Sequence, residues 1–167
     1  LLQQNRWDVV TIQQKNDISH KAETFQPHAD EIVAFIKKHA PDAEIMIHQT
    51  WANAPDCSWL KRAKLSREEM HEGLTKNYND LAKHFGGLRQ LKSGEAFYRC
   101  FKANPDINLW YNRHLSDAGR YLLACVWFSE LLVISPEKIK FTPRNINADA
   151  AARLRKAVDH NPTKTSK

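Results

Sequence analysis

A chain of 167 residues that is 42% hydrophobic and 26% charged can bury one real core but is too short for a second full domain. No apolar run approaches the ~20 residues that span a bilayer, so no membrane span is expected. The formal charge of +6 is dispersed over Lys37-Lys38, Lys61-Arg62 with Lys64, and the tail Lys164 to Lys167, and with no basic tract a nucleic-acid partner is not expected.

Trp7 to Gln14 is a β-branched run that ends in polar residues, as a buried parallel strand does where it emerges into a loop. After the loop Lys15 to His20, Pro27 to His39 carries Ile32, Val33, Phe35 and Ile36 at helical spacing and predicts an amphipathic helix. Ala40-Pro41-Asp42 stops it, and Ala43 to Thr50 reads as the next strand, completing a βαβ unit. Trp51 to Leu65 has no period and is expected to be a long loop over the carboxyl edge of the sheet.

Ser66-Arg67-Glu68-Glu69 has the form of a capping box, with Met70, Leu74, Tyr78, Leu81 and Phe85 at helical spacing behind it and Gly86-Gly87 as the stop. Leu88 to Leu91 predicts a short third strand, and Ser93 to Cys100 a short helix. Next come His114-Leu115-Ser116 and an apolar helix reaching about Leu132, with Ser116 as N-cap and Asp117 at the positive end of the dipole. Ala148 to Val158 reads as a last, alanine-rich helix, and 161–167 as a frayed basic tail beyond a single domain over 1–160. Strands alternating with helices predict a three-layer α/β/α sandwich around a parallel sheet.

Ligands bind such a sheet at the carboxyl ends of its strands. That edge would gather Gln13, Gln14 and Asn16 from the first strand, and Gln49, Thr50 and Trp51 from the second, with the His114 turn beside them. A hydrolase acting on an ester needs a nucleophile, a base and donors aimed at the oxyanion. An imidazole with an ordinary pKa near ~6.5 suits proton transfer at neutral pH, so His114 is the candidate base. The Asn16 carboxamide is a candidate oxyanion donor, its plain alternative being a turn residue. Gln13, Gln14, Gln49 and Thr50 are pocket candidates, and Trp51 would give the pocket an apolar wall. His48, inside a strand pattern, reads first as a satisfied core histidine, its alternative being a site role. No HExxH, Walker, GxGxxG or GxSxG sequence occurs, so no metal and no cofactor is expected. Cys57, Cys100 and Cys125 have neither zinc-site nor C-x-x-C spacing, and Cys125 reads as a buried small hydrophobe.

Several blocks carry a family likeness. Trp7-Asp8-Val9-Val10-Thr11-Ile12-Gln13-Gln14, Pro41-Asp42-Ala43, His48-Gln49-Thr50-Trp51-Ala52, and His114-Leu115-Ser116 with Gly119-Arg120-Tyr121-Leu122 and Ala124-Cys125-Val126-Trp127 together resemble the SGNH (GDSL-like) hydrolase superfamily, most closely a bacterial branch of esterases and lipases. The resemblance covers nearly the whole chain. It implies a flavodoxin-like sandwich, a serine nucleophile on the loop after the first strand, a histidine base from a late D-x-x-H block, and an asparagine in the oxyanion hole. His114 matches that base, and Asn16 matches that asparagine loosely within Gln14-Lys15-Asn16-Asp17.

Tyr111 stands where the aspartate is expected, three residues before His114. The nucleophile block and the first strand are expected to precede Leu1, which is not a methionine, and the compartment is left open, export included. The resemblance thus implies hydrolysis of a small-molecule or carbohydrate ester, for instance a carbohydrate acetyl ester. Tyr111 favours a second reading, a non-enzymatic relative that keeps the pocket as a binding module.

Overall fold

In the computed structural model, which describes residues 2–111 and 114–160, β1 (Val9–Ile12), β2 (Glu44–His48) and β3 (Gln90–Leu91) form a parallel sheet in the order β1-β2-β3. The expected tail 161–167 lies outside the described residues. The β1 register pairs Val9 with Glu44 and Ile12 with Ile47, which brings both strand ends to the same level. β1 is an edge strand whose four residues are all half-buried, and its outer side has no partner strand among the described residues.

Alternation along β2 sends Ile45 and Ile47 to one face and Met46 and His48 to the other. On the first face Ile45 packs with Val33 and Ile36 of α1 (His28–His39), and Ile47 with Leu74 and Tyr78 of α3 (Arg67–His84). On the second, the Trp127 ring of α5 (Asp117–Leu132) lies 5.1 Å from the His48 ring. This is the three-layer α/β arrangement that the alternation of elements predicts.

A larger core joins α4 (Ser93–Ala103), α5 and α6 (Ala148–Lys156) through Phe97, Cys100, Leu122, Cys125 and Leu154. Cys57 packs against both this cluster and the Ile47–Leu74–Tyr78 cluster. Cys125 is fully buried, and burial pushes its thiol up to about 11, which makes it inert at neutral pH.

The helix ends follow the expected chemistry. Ser66 Oγ accepts from the Glu69 amide at 3.1 Å while the Glu69 carboxylate accepts from the Ser66 amide at 2.8 Å. Ser116 Oγ accepts from the Gly119 amide at 3.1 Å and donates to the Asn108 carbonyl at 2.7 Å, so one hydroxyl both caps α5 and ties down the segment before it. Gly86 and Gly87 take φ of 81° and 91° just past α3, the left-handed geometry that glycine adopts without strain.

Three expectations change. The Trp51–Leu65 stretch is not all loop, because it contains α2 (Ser58–Ala63), closed by Lys64 in the left-handed conformation. Six residues are under two turns and leave no repeat to detect; the helix is held by burial of Leu60. His114 does not sit in a bare turn. It begins β5 (His114–Leu115), which pairs antiparallel with β4 (Trp110–Tyr111), a ladder too short for alternation to register. The strands are also shorter than their apolar runs, the second ending at His48 rather than Thr50. Among the described residues no helix is long and apolar enough to cross a membrane.

Candidate functional site

Carrying the β1–β2 register one step past Ile12 and Ile47 places Gln13 beside His48, on the face that α5 covers. The two side chains meet there, with Gln13 Oε1 2.6 Å from His48 Nδ1. On the other side of the ring, His48 Nε2 lies 3.1 Å from Ser93 Oγ at the start of α4, and the Trp127 indole N–H donates to it at 3.4 Å. His48 is only 7% exposed, and burial lowers its pKa to about 4, so the ring is neutral at physiological pH. Gln13 itself is exposed.

The next residues carry a second polar set. Tyr78 of α3 accepts from the Gln14 amide at 3.2 Å and lies 3.3 Å from Thr50 Oγ1, and burial raises its phenol. Thr50 donates to Ser19 Oγ at 3.0 Å, and Ser19 donates to the Asn16 carbonyl at 2.9 Å. The Gln14 side chain is occupied locally, donating to the Thr24 carbonyl at 2.6 Å and accepting from the Lys15 amide at 2.7 Å. Asn16 Nδ2 donates to Asn53 Oδ1 at 2.8 Å. These bonds fix the two loops that leave β1 and β2 against each other.

Gln49 is fully buried, and its Oε1 accepts from the Glu95 amide at 3.0 Å. It serves the first turn of α4, whose N-cap residue Lys92 makes no capping side-chain bond. Gly94 lies so close that a Cβ there would overlap the Thr50 carbonyl oxygen. Trp51 stacks on Phe97 at 4.8 Å, and Phe97 meets Trp110 of β4 edge-on at 6.0 Å, so an aromatic ladder runs from the strand end to the His114 hairpin. Arg67 lies over the Trp110 ring at 4.3 Å and the Phe101 ring at 3.8 Å. It is 5% exposed, its three nitrogens have no hydrogen-bond partner, and burial lowers its pKa to about 10.

His114 is exposed and lies directly across the β4–β5 ladder from Tyr111, which is 71% exposed. Cross-strand neighbours project to the same side, so a residue three before His114 is placed where it can reach the imidazole. No side-chain hydrogen bond joins His114 to the strand-end residues among those described. It lies on the β4–β5 hairpin, whose Trp110 is joined to Trp51 at the strand end through Phe97. The structure therefore brings Gln13, Gln14, Asn16, Gln49, Thr50 and Trp51 to one edge, with His114 and Tyr111 on a separate hairpin.

Sequence reasoning passes over Ser93, Trp127, Ser19, Tyr78 and Asn53 as site residues and reads His48 first as a core histidine, with a site role as the alternative. The one available signal is the set of polar residues that follow two neighbouring apolar strands at matched positions.

Relatives of known structure share this architecture. A crystal structure of a DUF4886 family protein from Bacteroides uniformis ATCC 8492 superposes with a TM-score of 0.86 at 22% identity, over 93% of this chain. The chain spans only 62% of that protein's length. A protein from Slackia heliotrinireducens, described as a putative SGNH hydrolase, superposes with a TM-score of 0.64 at 22% identity, over 78% of this chain and 68% of that one. No curated protein matches the sequence. The model of a domain of unknown function, DUF4886, matches residues 1–161. The chain thus belongs to the DUF4886 family and has an SGNH-like α/β fold.

Proposed function

We propose that this domain belongs to a serine hydrolase of esters, with His114 as general base and the nucleophilic serine supplied by chain that precedes Leu1. The reading is carried by the exposed imidazole of His114, two residues before the N-cap Ser116 of α5 in an SGNH-like fold. In this mechanism His114 takes the serine proton as the hydroxyl attacks the ester carbonyl, then returns it to the departing alcohol. It repeats the two transfers with water to release the acid. Charge that develops on the carbonyl oxygen is met by amide donors at the strand ends. The favoured substrates are small-molecule or carbohydrate esters, acetyl esters foremost. The Trp51–Phe97 stack offers an apolar wall for such a ligand.

The test is hydrolysis of p-nitrophenyl acetate by the full-length protein and by its His114→Ala variant. Loss of turnover in the variant, with folding intact, is the expected result; equal rates would remove His114 from the chemistry.

Tyr111 favours a second reading, a binding module that keeps the pocket without turnover. Tyr111→Asp puts a carboxylate across the ladder from His114. A large gain in hydrolysis would count against the module, whereas a protein that stays inert supports it.

A further inference from the structure

We propose that His48 is a positioning residue: the Trp127 indole holds it as the Nδ1–H tautomer, and in that form it orients the Gln13 carboxamide with Nε2 facing out from the sheet edge as a hydrogen-bond donor. This rests on the hydrolase reading for its purpose, which is to meet negative charge on a substrate oxygen, but not for its geometry.

The order of donors and acceptors follows from the one group that has no choice. An indole N–H only donates, and Trp127 Nε1 lies 3.4 Å from His48 Nε2. Two N–H groups cannot face one another, so Nε2 carries the lone pair and the ring proton sits on Nδ1. The Ser93 hydroxyl, 3.1 Å from the same nitrogen, then donates as well. Nδ1–H requires an acceptor, and the atom 2.6 Å away on Gln13 must therefore be its oxygen.

That bond removes the ambiguity of the carboxamide. With Oε1 turned to His48, the Gln13 NH2 group points away from the ring, and no hydrogen bond to it occurs among the described residues. Gln13 is the exposed member of the pair, so both N–H bonds are available at the carboxyl edge of β1. A charged imidazole would oppose the indole N–H and break the sequence of bonds, and burial of His48 disfavours that form. The strand-end donor, Gln13, is thus set by three residues behind it, His48, Ser93 and Trp127.

The experiment uses 15N-labelled full-length protein. Long-range imidazole spectra, with His48 identified by its loss in His48→Gln, are expected to show protonated Nδ1 and bare Nε2. Trp127→Phe keeps an aromatic ring but removes the indole N–H, and should populate the Nε2–H tautomer. Acetate, the carboxylate that an acetyl ester releases, should shift the Gln13 side-chain NH2 cross-peaks in the wild type and not in Trp127→Phe. Protonated Nε2 in the wild type, a tautomer unmoved by Trp127→Phe, or Gln13 peaks indifferent to acetate would each overturn the proposal.

On p-nitrophenyl acetate, Gln13→Met should lower kcat about 100-fold at nearly constant KM, the signature of a donor used in the transition state. Unchanged kcat would overturn the donor role. A wild type that hydrolyses no ester would remove the hydrolase reading alone, since the tautomer and acetate results stand apart from turnover.

Discussion

The strand-end network and the His114 hairpin are built on opposite plans. At the strand ends polar side chains hold one another: His48 meets Gln13, Ser93 and Trp127, Thr50 meets Ser19 and Tyr78, and Gln49 accepts from the first turn of α4. On the hairpin, His114 faces solvent and its cross-strand neighbour Tyr111 is exposed too. The comparison teaches that a histidine's chemistry follows its burial. His48, enclosed, is fixed in one neutral form and can only orient its neighbours. His114, exposed, has no such enclosure among the described residues.

The sharpest way to break this contrast is to delete each imidazole. His114→Ala should reduce kcat for ester hydrolysis by about 10²- to 10⁴-fold, the span of a general base, without moving the urea midpoint of unfolding. A midpoint that falls with kcat would make His114 structural.

The next effect lies in pH. His48 binds a proton near pH 6.5 when unfolded but only near pH 4 when folded. Between those values the unfolded chain holds more protons, so stability falls as the solution is acidified from pH 6.5 to 4, by up to about 3 kcal/mol from this group. Above pH 6.5 both states are neutral and the contribution is constant. Burial also lowers the pKa of His20 and His71, and they add to the loss in the same direction. Urea unfolding of wild type against His48→Gln across this range isolates the His48 share, and parallel curves would refute it.

Two smaller substitutions test how tightly the strand-end loops are fixed. Gly94→Ala drives a Cβ onto the Thr50 carbonyl oxygen, and this overlap should outweigh the gain in helix propensity for a net loss of about 1–2 kcal/mol by chemical unfolding. Tyr78→Phe removes the hydroxyl shared by Gln14 and Thr50 and should cost about 1 kcal/mol. No change in either would mean that these loops are looser than their hydrogen bonds imply.

Much of the fold is legible in the sequence because its longer elements repeat. α3 declares itself through Ser66, Glu69 and the apolar spacing from Met70 to Leu81; α5 does so through Ser116 and the run behind it. α2 and the β4–β5 pair stay hidden, since a six-residue helix and a two-residue ladder are shorter than the period that would reveal them.

At the site, the sequence shows that polar residues follow apolar strands but not which face each one takes. Gln13 and Gln49 look alike as glutamines closing a strand. The register puts Gln13 beside His48 at an exposed edge and Gln49 one step further on, fully buried beneath α4. Pairing between strands far apart in the chain decides that difference, and no local pattern encodes it. Asn16 is placed at the right edge by its sequence position, while its bond to Asn53 depends on a loop whose path only tertiary packing sets.

Cys57 gives the molecule an experimental handle. It is half-exposed, whereas Cys100 and Cys125 are buried with thiols pushed up, so a thiol-reactive probe at neutral pH should label the described residues at one place. Because that place touches both cores, a dye attached there would sit on the seam between them. Its emission would show whether the two halves loosen together or in turn as denaturant is added.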